Sequence, residues 1–120
     1  MIKRFDRIDV ATSDLSDAAS IYEKNFGFKV SRAGENATVT IGGAEIRLAS
    51  GASVAEVIKT SGEGMFAIWL EADDLEQVVA SLKKAGIETE AIKREAGRRI
   101  LTIDPKIANQ VPLFIFDQKG

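Results

Sequence analysis

The strongest constraint in this sequence is a repeated punctuation. Asp14-Leu15 and Asp74-Leu75 place two helix-capping aspartates 60 residues apart, and Gly27 and Gly86 place two helix-stopping glycines 59 apart. Before each cap runs an alternating stretch of strand type, Phe5 to Thr12 and Phe66 to Glu71;. After each cap come apolar residues at helical spacing: Leu15, Ala18, Ile21, Tyr22 and Phe26 in the first half, Leu75, Val78, Val79 and Leu82 in the second;. An acceptor side chain just before the stripe and a glycine just after it are what a helix needs at its two ends.

Each helix is followed by further strands. In the first half, Phe28 to Val30 reads as a strand, and Ala37 to Ile41 and Glu45 to Ala49 read as a hairpin across Gly42-Gly43;. In the second, Glu88 to Ile92 and Arg98 to Ile103 are expected to pair across Lys93 to Gly97, and Pro112 to Phe116 supplies the last strand;. The fold expected is therefore α+β, built from two βαβββ modules within a single domain spanning 1–120: module one about 1–50, a linker of about 51–64, module two about 65–120. The Gly/Ser-punctuated linker offers one or two helical turns at Val54, Val57 and Ile58.

With 120 residues, 16 basic and 18 acidic side chains and a net charge of −2, nothing electrostatic points to nucleic acid;. No apolar run is long enough to suggest a membrane span, and no secretory signal is evident at Met1 to Asp6, so a cytoplasmic location is the default expectation;. Histidine and cysteine are absent. That removes imidazole general bases, Ser-His-Asp and Cys-His catalysis, thiol redox chemistry and zinc sites built on His or Cys.

The order and spacing of Asp6-Arg7-Ile8-Asp9-Val10-Ala11-Thr12-Ser13-Asp14-Leu15, then Ile21-Tyr22-Glu23-Lys24-Asn25-Phe26-Gly27-Phe28, and later Asp104-Pro105 before a final apolar strand, resembles the vicinal oxygen chelate superfamily. That superfamily includes glyoxalase I, bleomycin-resistance proteins and extradiol dioxygenases. The resemblance implies curled mixed sheets forming a cup, with helices on the outer face. It also implies a divalent metal held by one side chain from each of four strands, commonly His or Glu. Carried over position by position, those four places read Arg7, Arg47, Ala67 and Phe114. Two guanidinium groups, a methyl and a phenyl ring offer a divalent cation no ligand, so no metal and no cofactor is expected.

Strand alternation gives a lining independently of that resemblance. If Ile8, Val10, Ile46, Leu48, Phe66, Ile68, Leu70, Leu113 and Ile115 face helices, then Arg7, Asp9, Ala11, Glu45, Arg47, Ala67, Trp69, Glu71, Phe114 and Phe116 face the other way;. Arg7 and Arg47 suit bidentate recognition of a carboxylate or phosphate, or they form ion pairs with Asp9, Glu45 or Glu71. Trp69 either stacks on a ligand or packs. Lys93-Arg94 and Arg98-Arg99 read as a solvated hairpin tip, with a basic rim for an anionic ligand as the alternative;. The expected binding residues are Arg7, Asp9, Arg47, Ala67, Trp69, Glu71, Phe114 and Phe116, with no catalytic residue assigned.

The function expected is metal-free binding of an anionic or aromatic small molecule, in a protein that forms a homodimer. Two alternatives stand beside it. One is a lyase or isomerase using carboxylates or a relocated metal; the other is a structural or regulatory dimeric module whose cup is plugged by Arg-carboxylate pairs.

Overall fold

A computed structural model describes residues 1–119 and contains eight strands and three α-helices among them. Two compact units emerge: residues Arg7–Phe66, and Met1–Asp6 together with the chain from Ala67 onward. Both have the same topology, with a first strand, a helix, and three more strands of which the last returns to lie parallel to the first.

In the Arg7–Phe66 unit, β1 (Ile2–Ala11) runs into α1 (Leu15–Phe26). The cap forms as the sequence predicts, with the Asp17 N–H donating to Asp14 Oδ1 at 3.0 Å;. Gly27 ends the helix at φ +69°, a left-handed conformation that costs a glycine nothing;. The Phe28 N–H donates back to the Tyr22 carbonyl at 3.3 Å, and its ring stacks on Phe26 with centroids 5.7 Å apart. Phe28 thus belongs to the helix stop, and β2 begins later than expected, at Val30–Ala33. β3 (Asn36–Ile41) and β4 (Ala44–Ala49) form the expected hairpin. The strand order is β2-β3-β4-β1, antiparallel except for the β1/β4 pair.

One face of this sheet carries Val10, Val30, Ala37, Ile46 and Leu48 against Ala19, Leu15 and Tyr22 of α1. The connection holds more helix than the one or two turns expected: α2 covers Ala52–Ser61. It has no side-chain cap at Gly51, so its sequence signal is weak. Packing supplies the support, since Val54, Val57 and Ile58 bury against Ala11, Ala49 and Phe66;.

The second unit contains β5 from Ala67 on (the full strand is Gly64–Ala72), α3 (Leu75–Lys84), β6 (Lys93–Glu95), β7 (Arg98–Ile103), a 3-10 turn at Pro105–Ala108, and β8 (Leu113–Asp117). β5 pairs parallel with β8, and β8-β7-β6 continue antiparallel. α3 starts on Asp74, whose Oδ1 accepts the Glu76 N–H at 2.9 Å, and the chain leaves it through Gly86 at φ +81°.

The expected pairing of Glu88 to Ile92 is corrected here. Ala96 and Gly97 both have positive φ, at 50° and 78°, making a two-residue hairpin turn that brings Lys93–Glu95 opposite Arg98–Ile100;. Residues 88–92 stay outside the sheet, although Ile92 still packs on the core. That core joins Leu75 and Val78 of α3 to Leu101, Ile103 and Ile115 of the sheet. Among the described residues, no helix is long and apolar enough to cross a membrane.

Candidate functional site

In the Arg7–Phe66 unit, parallel pairing sets Arg7 of β1 opposite Glu45 of β4, and Asp9 opposite Arg47. Strand alternation puts all four on the face away from α1, and β3 adds Thr40 opposite Glu45 and Thr38 opposite Arg47;. The result is two positive and two negative groups in a checkerboard with no net charge. Arg7 Nε donates to Asp9 Oδ1 at 2.9 Å, and both side chains are nearly buried. Arg47 Nη2 donates to Glu45 Oε1 at a longer 3.3 Å, with 37% of the Arg47 side chain exposed. Of the two predicted anion-binding arginines, Arg47 is the one solvent reaches. Ala11 and Ala49, two residues beyond Asp9 and Arg47, are closed over by α2.

In the second unit, β5 and β8 place Trp69 directly opposite Phe114, and Glu71 opposite Phe116. The Trp69 and Phe114 rings stack with centroids 4.6 Å apart and planes 14° from parallel; Phe116 lies 6.3 Å from Trp69. Ala67, two residues before Trp69, shares this face and is buried, as are Glu71 and Phe116. Trp69 and Phe114 remain half-buried.

The sequence offers Glu71, beside Asp9 and Glu45, as one of the carboxylates able to neutralise Arg7 or Arg47. Arg4 takes it instead, with Arg4 Nε donating to Glu71 Oε1 at 2.7 Å and Lys3 Nζ 3.9 Å from its other oxygen. No motif singled out Arg4, because the pair is 67 residues apart in sequence and only the fold joins it.

The reading of Arg98-Arg99 as a solvated tip holds for neither residue. Arg98 lies on the aromatic face, with its guanidinium carbon 4.5 Å from the Phe116 ring centroid;. Arg99 faces α3 and is buried. Its Nε and Nη2 donate to the two oxygens of Asp117, at 3.0 and 2.6 Å, while Nη1 reaches Glu76 and Nη2 also reaches Asp74. The fully buried Asp117 also accepts the Leu75 N–H at 2.8 Å and the Lys119 N–H at 3.1 Å. The Arg99 guanidinium holds the Asp117 carboxyl down to about 2, against the opposing effect of burial;. This cluster ties β7, β8 and the start of α3 together and is structural. Alternation alone could have separated the two arginines, since Arg99 shares the parity of Leu101 and Ile103. Lys93 and Arg94 are exposed, as a hairpin tip requires.

Residues 4–120 match the Glyoxalase/Bleomycin resistance protein/Dioxygenase superfamily. The chain belongs to this superfamily. Solved structures of similar fold include a methylmalonyl-CoA epimerase in complex with methylmalonyl-CoA and NH4+, at 21% identity and a TM-score of 0.74, covering 100% of this chain and 97% of that one. A variant of the Streptomyces coelicolor methylmalonyl-CoA epimerase in complex with 2-nitronate-propionyl-CoA gives 21% identity and a TM-score of 0.75, with both chains covered 100%. The Mycobacterium tuberculosis methylmalonyl-CoA epimerase gives 20% identity and a TM-score of 0.74, covering 97% of this chain and 88% of that one. No curated protein matches the sequence. At such identities the structures establish the fold that this superfamily member shares with them.

The superfamily's divalent metal does not suit the residues present. Arg7 and Arg47 already occupy carboxylates that could have served as ligands, and Ala67 and Phe114 bring no donor atom;. Among the described residues, no three of the His, Cys, Asp or Glu type are grouped to hold an ion.

Proposed function

We propose that this protein binds an aromatic or anionic small molecule without a metal and does so on the aromatic face of the second unit. The observation that carries this reading is the stacked Trp69–Phe114 pair, still half-buried, with the Arg98 cation over the adjoining Phe116. Apolar rings with a few polar groups beside them are the usual composition of a small-molecule site. Arg98 provides the charge that favours an acid over an amine, and Glu71 is already engaged by Arg4. In the other unit, half-exposed Arg47 is a separate candidate for holding an anionic group in its own right, and Arg7 and Asp9 hold one another and shape that unit's face. Ala67 and Phe116, both buried, lie behind the aromatic face and support it. That similar folds are seen with acyl-CoA compounds bound supports small-molecule recognition on this scaffold.

Isothermal calorimetry of chelator-treated protein against a panel of aromatic acids and phosphorylated metabolites tests the reading. Binding in the micromolar range is expected for at least one aromatic acid; nothing tighter than about 1 mM across the panel would overturn it. A stoichiometric divalent ion in protein purified without chelator would overturn its metal-free part.

One observation favours a second reading. Ala67, Glu71 and Phe116 are 2%, 5% and 0% exposed, and the Arg7-Asp9-Glu45-Arg47 quartet is neutral, as in a plugged structural module that assembles as a homodimer. Native mass spectrometry showing a dimer, with no ligand bound from the panel, would select it.

A further inference from the structure

A cavity lies in the Arg7–Phe66 unit, on the α1 side of the sheet and away from the charged checkerboard. Its volume is about 460 Å³, with Leu48 in its apolar floor and Ile21, Tyr22 and Phe26 along α1 as a wall. Two carboxylates, Asp17 and Glu63, line it, and among the described residues its lining includes no lysine or arginine. We infer that this cleft is a binding site for an organic cation with a hydrophobic body, a class opposite in charge to the ligand proposed for the aromatic face.

Three observations carry the inference. The wall is unusually wet for its chemistry: Phe26 is 62% exposed and Ile21 45%, on a helix that packs its face through Ala19, Leu15 and Tyr22;. The aromatic rings are preassembled, Phe26 lying 6.0 Å from Tyr22 and 5.7 Å from Phe28, so an aromatic surface stands ready without reordering;. The negative charge is also fixed in place. Glu63 Oε1 accepts both the Thr12 hydroxyl at 3.1 Å and the Ser13 N–H at 2.8 Å, and its hydrogen-bond donors hold it in the ionised form;. Both of these bonds fall on one oxygen. The carboxylates at the start of α1 attract the ammonium by charge, while the alkyl or aryl body runs along the helix and covers Ile21 and Phe26;. An anionic ligand would meet two like charges here.

The test uses three probes that share one body: 4-phenylbutylammonium, 4-phenylbutanol and 4-phenylbutanoate, titrated by calorimetry into the full chain. The ammonium is expected to bind one to one near about 0.1 mM, the alcohol at least about tenfold more weakly, and the acid not measurably in this cleft. Asp17→Asn, at an exposed helix position, is expected to weaken the ammonium about fivefold and to flatten its salt dependence. Phe26→Ala weakens ammonium and alcohol alike. Trp69→Leu leaves ammonium binding within about twofold, which separates this site from the aromatic face whichever way that proposal is decided. Equal affinity for ammonium and alcohol, an unchanged affinity in both Asp17→Asn and Phe26→Ala, or loss of binding in Trp69→Leu would overturn the inference. So would the absence of saturable ammonium binding.

Discussion

Replacing Arg99 by methionine isolates the cluster that fastens α3 to β7 and β8. Asp117 is fully buried, and two of its bonds run to the Arg99 guanidinium, at 3.0 and 2.6 Å. Methionine keeps the bulk of the side chain but removes the charge, leaving Asp117 with the Leu75 and Lys119 amides alone. Breaking a buried ion pair from one side costs about 3–5 kcal/mol, because the remaining charge has lost its compensation. For a chain of this length each kcal/mol is worth about 4 °C, so the melting temperature should fall by about 12–20 °C. Urea denaturation at pH 7 of the wild type, Arg99→Met, Asp117→Asn and the double variant measures the loss and the coupling. Asp117→Asn in the Arg99→Met background should recover part of the loss, since the double variant carries no buried unpaired charge. A loss below about 1 kcal/mol in Arg99→Met, or strict additivity in the double variant, would refute this account of the cluster.

The same pair sets an acid limit. The folded Asp117 carboxyl is depressed to about 2 from an ordinary 3.8, so it stabilises the fold fully above about pH 4 and loses that contribution as pH falls toward 2;. About 2 kcal/mol should disappear across that window in the wild type, and the acid limb should be flatter in Asp117→Asn, followed by circular dichroism. Leu101→Ala, which empties a fully buried position between α3 and the sheet, should cost about 2–5 kcal/mol by calorimetric unfolding;. Gly27→Ala should cost about 1 kcal/mol in urea, because φ +69° is strained for any residue with a β-carbon;. Arg7→Met should destabilise by about 2 kcal/mol, whereas Arg47→Met, at a half-exposed pair, should change stability by less than about 1 kcal/mol;.

What the sequence disclosed and what it concealed divide along the range of the interactions. Asp14, Gly27, Asp74 and Gly86 act within one helical turn, so the caps, the stops and the duplicated topology were legible from spacing. Strand alternation likewise placed Arg7, Asp9, Glu45 and Arg47 on one face of one unit, and Trp69, Glu71, Phe114 and Phe116 on one face of the other. The full length of α2 is not legible from local spacing, because Val54 and Val57 draw their support from Ala11 and Ala49, which are distant in sequence. The position of β6 is not legible in the sequence, because Ala96 adopts a left-handed conformation that alanine gives no sign of favouring;. Arg4 escaped notice as the partner of Glu71 for the same reason of distance, and Arg99 because a run of charges hides which member points inward.

Trp69 is the sole tryptophan of the chain, so its emission reports on the proposed site and on nothing else. Titrating an aromatic acid into the protein in the presence of EDTA, with excitation selective for tryptophan, interrogates the proposed binding face directly. A saturable change in emission at micromolar ligand, unaltered by the chelator and much weakened in Arg98→Gln, is the predicted result. Emission that stays flat to millimolar ligand, or that responds only when a divalent ion is restored, would contradict it.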